Sequence, residues 1–286
     1  MTDFADLMTL EQTEPNRFTG RYSQVNRNGA VFGGQLLAQL ARAAELTVSD
    51  SSRLLHTLQV TFEQPAISDL PIEYLIETAF DGGSETIRQV RGIQHNRVLV
   101  RGNANFGSRF GGFEHGETLR DLPRHPEYLP SLSDSAAALE GLLTVHGKSR
   151  AKTYPQVEIR PLDPRYHLLV DSGRPSSRFW IRLISDRPSR EWSSSVAIAF
   201  LSDYLAVNAA LIRHVTELPP EPLFVATLTH SLWIHAAVDV GRWIFCDWNS
   251  PWAGGGRALC MGKFFDENGR LVATAAQVVM VRRRKR

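Results

Sequence analysis

The chain has 286 residues, 43% of them hydrophobic and 22% charged, with a net charge of +2. That composition suits a soluble globular protein with enough apolar material for a substantial core. So small a net charge argues against nucleic acid as a partner, because phosphate binding is carried by a concentrated basic surface.

In chain order, RFTGRYS (17–23) reads as a short strand. A glycine pair then feeds VFGGQLLAQLARAAEL (31–46), where Leu36, Leu37, Leu40, Ala43 and Ala44 recur at helical spacing and Ala38 and Ala41 keep the remaining surface slim. A helix that is apolar over most of its girth is expected to be buried. Four strand-like segments follow: LLHTLQVTFEQP, PIEYLIETAF, ETIRQVRGIQ and RVLVRGNANF. DGGS (81–84) and the pair His95–Asn96 punctuate the last three as hairpins.

The second half repeats that order. RFWIRLI (178–184) is the short strand and SSSVAIAFLSDYLAVNAALIRH (193–214) the small-residue helix. The strands are then FVATLTHSLWIH, RWIFCDW, GRALCMGKFFD and LVATAAQVVMVRR, with a turn at DENGR (266–270). Strand, buried helix and four antiparallel strands, used twice, is an internal duplication. A long central helix wrapped by an antiparallel sheet is the hot-dog arrangement, so the expected fold class is α+β, a double hot dog. The expected division is 1–112 for the first unit, 113–175 for a connector rich in Pro, Ser and charge, and 176–286 for the second unit. Edge strands invite pairing, which predicts a homo-oligomer, dimer or tetramer.

Three polar residues of the second half interrupt apolar runs: Asp203 in AFLSDYLAV, Thr227 in LFVATLTHS and Gln277 in VATAAQVVM. A buried polar group without a partner costs about 1–3 kcal/mol, and a charge more. The three are easier to explain if they meet, or jointly hold a water. An acid, a hydroxyl and an amide suit hydrolysis. The acid, in apolar surroundings, would be a stronger base, and each residue alone also reads as structural. The amides at the start of the first helix, at Gly33, Gly34 and Gln35, form a second candidate site, fit for an oxyanion or phosphate. The rival reading is that the glycines only permit close packing. Trp248 and Trp252, beside NSP and AGGGR, are placed to border a ligand mouth, against the default of core packing.

Other chemistries find no footing. There is no GxSxG elbow for a serine nucleophile. His230 and His235 stand five apart on a strand and so point to opposite faces, which argues against a shared metal. His56, Cys246 and Cys260 read as packed residues. No metal or other cofactor is expected.

The words VFGGQLLAQ, HTLQVTFEQPA, GFEH, VEIRP, RFWIRL, ATLTHSLWIH and LVATAAQ, in that order over nearly the whole chain, resemble the type II acyl-CoA thioesterases, the TesB-like family. FGGQ alone is a weak signal, the ordered set a specific one, and the connector is the part least alike. The resemblance implies an acyl-CoA substrate, a place in fatty acid and lipid metabolism, and a water held by a helix Asp, a strand Thr or Ser and a Gln on the last strand. Asp203, Thr227 and Gln277 fall on those positions. One departure stands out. The family commonly has Asp-His-Ser-Met-Trp where this chain reads Thr229-His230-Ser231-Leu232-Trp233. A non-catalytic acyl-CoA-binding or sensing protein on the same fold is the alternative. A hydratase would need an Asp and a His together on a loop-to-helix segment, which does not accompany Asp203.

No apolar run approaches the roughly 18 residues that span a bilayer, so no membrane insertion is expected. The start MTDFADLMTLEQTEPNRF is acidic where a targeting peptide would be basic, and the two cysteines form no CxxC pair. A cytoplasmic protein with reduced thiols is expected. The basic block 282–286 reads as a solvated tail, with weak attraction for an anionic cofactor's phosphates as the rival.

Overall fold

The computed structural model describes residues 2–171, 176–185 and 192–283. In chain order the elements are α1 (Phe4–Met8), β1 (Leu10–Glu14), β2 (Arg17–Gly20), α2 (Gly33–Glu45), β3 (Leu54–Phe62), β4 (Ile72–Asp81), β5 (Glu85–Gln94) and β6 (Arg97–Gly107). Then come α3 (Leu132–Ala138), α4 (Val145–Ala151), β7 (Val157–Pro161), α5 (Pro164–His167), β8 (Ser176–Leu183), α6 (Ser194–Leu201) and α7 (Asn208–Leu211). The chain closes with β9 (Leu223–Ile234), β10 (Ile244–Gly254), β11 (Arg257–Phe265) and β12 (Leu271–Arg283).

These elements form two compact units that interleave along the chain. Unit 1 comprises Met1–Gly116, Ser185–Asp203 and Thr229–Ala237; unit 2 comprises Glu117–Ile184, Tyr204–Leu228 and Val238–Arg286. The repeat boundaries 1–112, 113–175 and 176–286 follow the order of elements, whereas these units follow contacts. Strand β9 contributes residues 229–234 to unit 1 and 223–228 to unit 2.

In unit 1 the strand order is β1-β2-β4-β5-β6-β3-β9. Every pair is antiparallel, for example Thr61↔Thr229 between β3 and β9. His95 and Asn96 carry φ of 49° and 60°, so a two-residue turn of type I′ closes β5 on β6 and sets the register Gln94↔Arg97. Helix α2 is buried along most of its length, as its apolar girth demands, and packs against α6. Aromatic rings lock the contact: Phe200 meets Phe4 at 4.9 Å and Phe32 at 5.5 Å between ring centroids. The short helix α1 escapes the sequence patterns because five residues hold too little periodicity. Asp3 and Asp6 close a capping box around it, and Phe4 and Leu7 are fully buried.

In unit 2 the order is β9-β12-β11-β10-β8-β7. Gly255 and Gly256, at φ of 56° and 73°, make the tight turn from β10 to β11. Pro251 sits in β10 where the register shifts between Asn249 and Trp252, so the bulge absorbs its missing N–H. The connector is tied into this unit: β7, the VEIRP word, pairs with β8, and Asn208 of α7 donates to the His167 carbonyl at 3.0 Å. Leu129, Trp180, Trp243, Phe245 and Phe265 form one of its apolar clusters.

The expected single helix over 193–214 is corrected. It stops at Leu201, and residues 202–207 form turns with Leu205 in the left-handed region at φ 61° before α7 begins. No Gly or Pro lies in 193–214 to announce the break. A bulky residue held there costs roughly 1–3 kcal/mol, and the burial of Leu205, only 5% exposed, offsets it. Asp203 therefore stands just past a helix end rather than inside a helix. Among the described residues no helix is long and apolar enough to cross a membrane. Of the basic block, residues 284–286 lie outside the described residues.

Candidate active site

Strands β9 and β12 are neighbours, and Gln277 on β12 donates from Nε2 to Thr227 Oγ1 on β9 at 2.6 Å. Gln277 is 2% exposed and Thr227 part-buried. Two of the three polar intrusions thus meet across fifty residues of sequence. The amide N–H occupies an oxygen lone pair of the hydroxyl, and so limits where Thr227 can aim its own proton. Directly opposite Gln277, on β11, is the fully buried Cys260. Burial pushes its thiol up to about 12 and pushes that of Cys246 up as well, so both are packed residues rather than nucleophiles.

Asp203, the third intrusion, belongs to unit 1 and is part-buried. Its carboxylate lies against the start of α2, where a Cβ on Gly33 would fall 2.6 Å from Oδ2. A Cβ on Gly34 would fall 2.4 Å from the Phe200 carbonyl oxygen. The two glycines thus let the amino end of α2 approach both the carboxylate and the end of α6. The residue before them, Phe32, caps the helix with no side-chain hydrogen bond. A helix amino end is a favourable place for a carboxylate or an oxyanion.

Gln35 is fully buried, and its side chain is committed to the loop before the helix. Nε2 donates to the Tyr22 carbonyl at 2.7 Å and Oε1 accepts from Gln24 N at 2.7 Å. Trp248 is fully buried in unit 2, edge-on to Phe264 at 5.7 Å and pressed on Gly262, whose Cβ would come within 2.7 Å of the indole. Its indole Nε1 is buried with no hydrogen-bond partner among the described residues. Trp252 is 52% exposed. His56, expected to be packed, is half-exposed and pairs with Glu85 at 3.0 Å.

Sequence reasoning passed over Ser202 and weighed His230 only as a metal ligand. Both are fully buried, and His230 Nε2 lies 2.9 Å from Ser202 Oγ. The serine hydroxyl donates its proton to the Ala199 carbonyl at 2.9 Å, so the imidazole must be the donor in the pair. That tautomer leaves Nδ1 as a buried lone pair with no hydrogen-bond partner among the described residues, which costs about 1–3 kcal/mol. Burial holds His230 down at about 3, so it is neutral through the working range of most enzymes. Between about 6.5 and about 3 the unfolded chain takes up a proton that the folded chain refuses, so stability falls as pH falls through that window. His230→Gln is expected to lose less of its urea midpoint than the parent between pH 7 and pH 4, as tryptophan fluorescence would record. Among the described residues no cluster of three or more His, Cys, Asp or Glu side chains is arranged to hold a metal ion.

Antiparallel strand arrays with few helices, α2 and α6 packed together in the first unit, define the double hot-dog class. The C-terminal domain model of the acyl-CoA thioesterase family matches residues 122–281, and the N-terminal domain model matches residues 23–107. The chain belongs to the acyl-CoA thioesterase family and is a thioester hydrolase. It is 27% identical to acyl-coenzyme A thioesterase 8 of Mus musculus, over 96% of this chain and 88% of that protein. It is also 27% identical to acyl-CoA thioesterase 2 of Haemophilus influenzae, over 99% and 98% of the two chains. The crystal structure of acyl-CoA thioesterase II TesB2 from Mycobacterium marinum superposes with a TM-score of 0.77 at 26% identity, covering 98% of this chain and 97% of that one.

Proposed function

We propose that the protein hydrolyses acyl-CoA to a free carboxylic acid and CoA through a water held by Asp203, Thr227 and Gln277. Membership of the family sets the reaction. The observation that carries the residue assignment is the 2.6 Å hydrogen bond from Gln277 to Thr227, two polar side chains meeting across neighbouring strands. In this reading Asp203 takes a proton from the water as its oxygen adds to the thioester carbonyl carbon. The tetrahedral oxyanion collapses, the C–S bond breaks and CoA leaves as a thiolate. A thiol of pKa about 8.5 needs little acid assistance to depart.

Thr227 and Gln277 orient the water, and the backbone amides of Gly33 and Gly34, at the uncapped start of α2, stabilise the oxyanion. Gln35 supports the loop and Trp248 the core. Cytoplasmic location, a homo-oligomeric state, the two repeat units with their connector and a role in fatty acid metabolism belong to the same reading.

Thiol release from a panel of acyl-CoAs of increasing chain length tests the proposal. Turnover that rises with enzyme concentration on at least one member is expected, and none on any would overturn it. Thr227→Ala and Gln277→Ala are each expected to lower kcat by about tenfold, with the double variant less than additive, because both act on one water. Additive losses in steady-state kinetics would place the two side chains in separate roles.

A further inference from the structure

We propose that His230 and Ser202 are positioning residues for the reaction: the imidazole N–H, delivered to the Ser202 hydroxyl, fixes the helix end from which Asp203 projects. The inference deepens the reading above and rests on Asp203 as the base.

Ser202 is the last residue of the α6 turn. Its N–H closes on the Ile198 carbonyl at 2.9 Å and its hydroxyl folds back to the Ala199 carbonyl at 2.9 Å. Past it the helix gives way to the turns that carry Asp203, so this end is the near support of that residue's backbone. The remaining lone pair of the Ser202 hydroxyl accepts from His230 Nε2, on a strand 28 residues further along the chain. His230 is in turn fixed by β9, which pairs with β3 in the register Val60↔His230 and Thr61↔Thr229. The helix end is thereby tied to a sheet rather than left to fray.

A leucine in place of His230 would fill the space without an unsatisfied nitrogen. The imidazole is explained by the proton it delivers, not by packing.

The test measures kcat and KM for thiol release from the acyl-CoA that the parent cleaves best. Ser202→Ala and His230→Leu are each expected to lower kcat by about 10- to 100-fold with KM within about twofold, the loss typical of a reacting group misplaced by about an ångström. His230→Gln, which can offer an amide N–H near the position of Nε2, is expected to restore most of kcat. Placed on Asp203→Asn, Ser202→Ala is expected to remove less than about twofold further, since there is no base left to position.

Should His230→Leu fail to fold, by its melting curve, Ser202→Ala decides alone. Unchanged kcat in Ser202→Ala, His230→Gln as slow as His230→Leu, or an equal loss with and without the Asp203 carboxylate would each overturn the proposal. Parent-like turnover in Asp203→Asn would instead overturn the assignment of the base. The two failures are therefore distinct.

Discussion

Asp203→Asn is expected to lower kcat for acyl-CoA hydrolysis by about 10²–10⁴-fold while the protein melts within a few degrees of the parent. The amide keeps the shape of the carboxylate beside the start of α2, where Oδ2 lies 2.6 Å from the Cβ site of Gly33, yet it cannot accept the proton of an attacking water. KM is expected to change little, because the lost interaction belongs to the transition state. Steady-state thiol release with a parallel thermal melt checks both halves. Near-parent turnover on a substrate that the parent cleaves would remove Asp203 from the mechanism.

The second large effect separates two adjacent glycines. Gly34→Ala would put a methyl group 2.4 Å from the Phe200 carbonyl oxygen, which is helix backbone, and 2.4 Å from the Phe32 ring. Overpacking of this kind costs about 1–3 kcal/mol, more than the gain of up to about 1 kcal/mol in helix propensity. At roughly 2–4 °C per kcal/mol for a chain of this size, a drop of several degrees in melting temperature is expected. Gly33→Ala meets instead the tip of the Asp203 side chain, which can swing away. It is expected to melt close to the parent but to lose kcat by about tenfold or more, because the base is what moves. If both variants melted alike and turned over alike, the glycines would be serving only as entry to the helix.

Much of this architecture was legible in the chain itself. Alternation of apolar and polar residues bounded β5 to the residue, because a half-buried strand must alternate, and the DENGR turn marked the start of the largely apolar β12. The pair His95–Asn96 announced a hairpin, since its positive φ suits a type I′ turn. The apolar girth of VFGGQLLAQLARAAEL announced a buried helix. Asp203, Thr227 and Gln277 stood out as residues because a polar group in an apolar run demands a partner. The break after Leu201 was not legible: AFLSDYLAVNAAL carries helical spacing throughout, and the left-handed Leu205 is tolerated only because tertiary packing buries it.

The sequence by itself therefore determined most of the strands, the first buried helix and the candidate side chains, for these follow from local pattern and from the cost of burying polar atoms. Only the tertiary structure decided which groups meet. Gln277 reaches Thr227 because β12 lies beside β9, and His230 reaches Ser202 because β9 runs past the end of α6. Such meetings join residues 50 and 28 positions apart. No local propensity encodes them; they are set by strand pairing and by the close approach of two helices that the bare backbone of Gly34 permits.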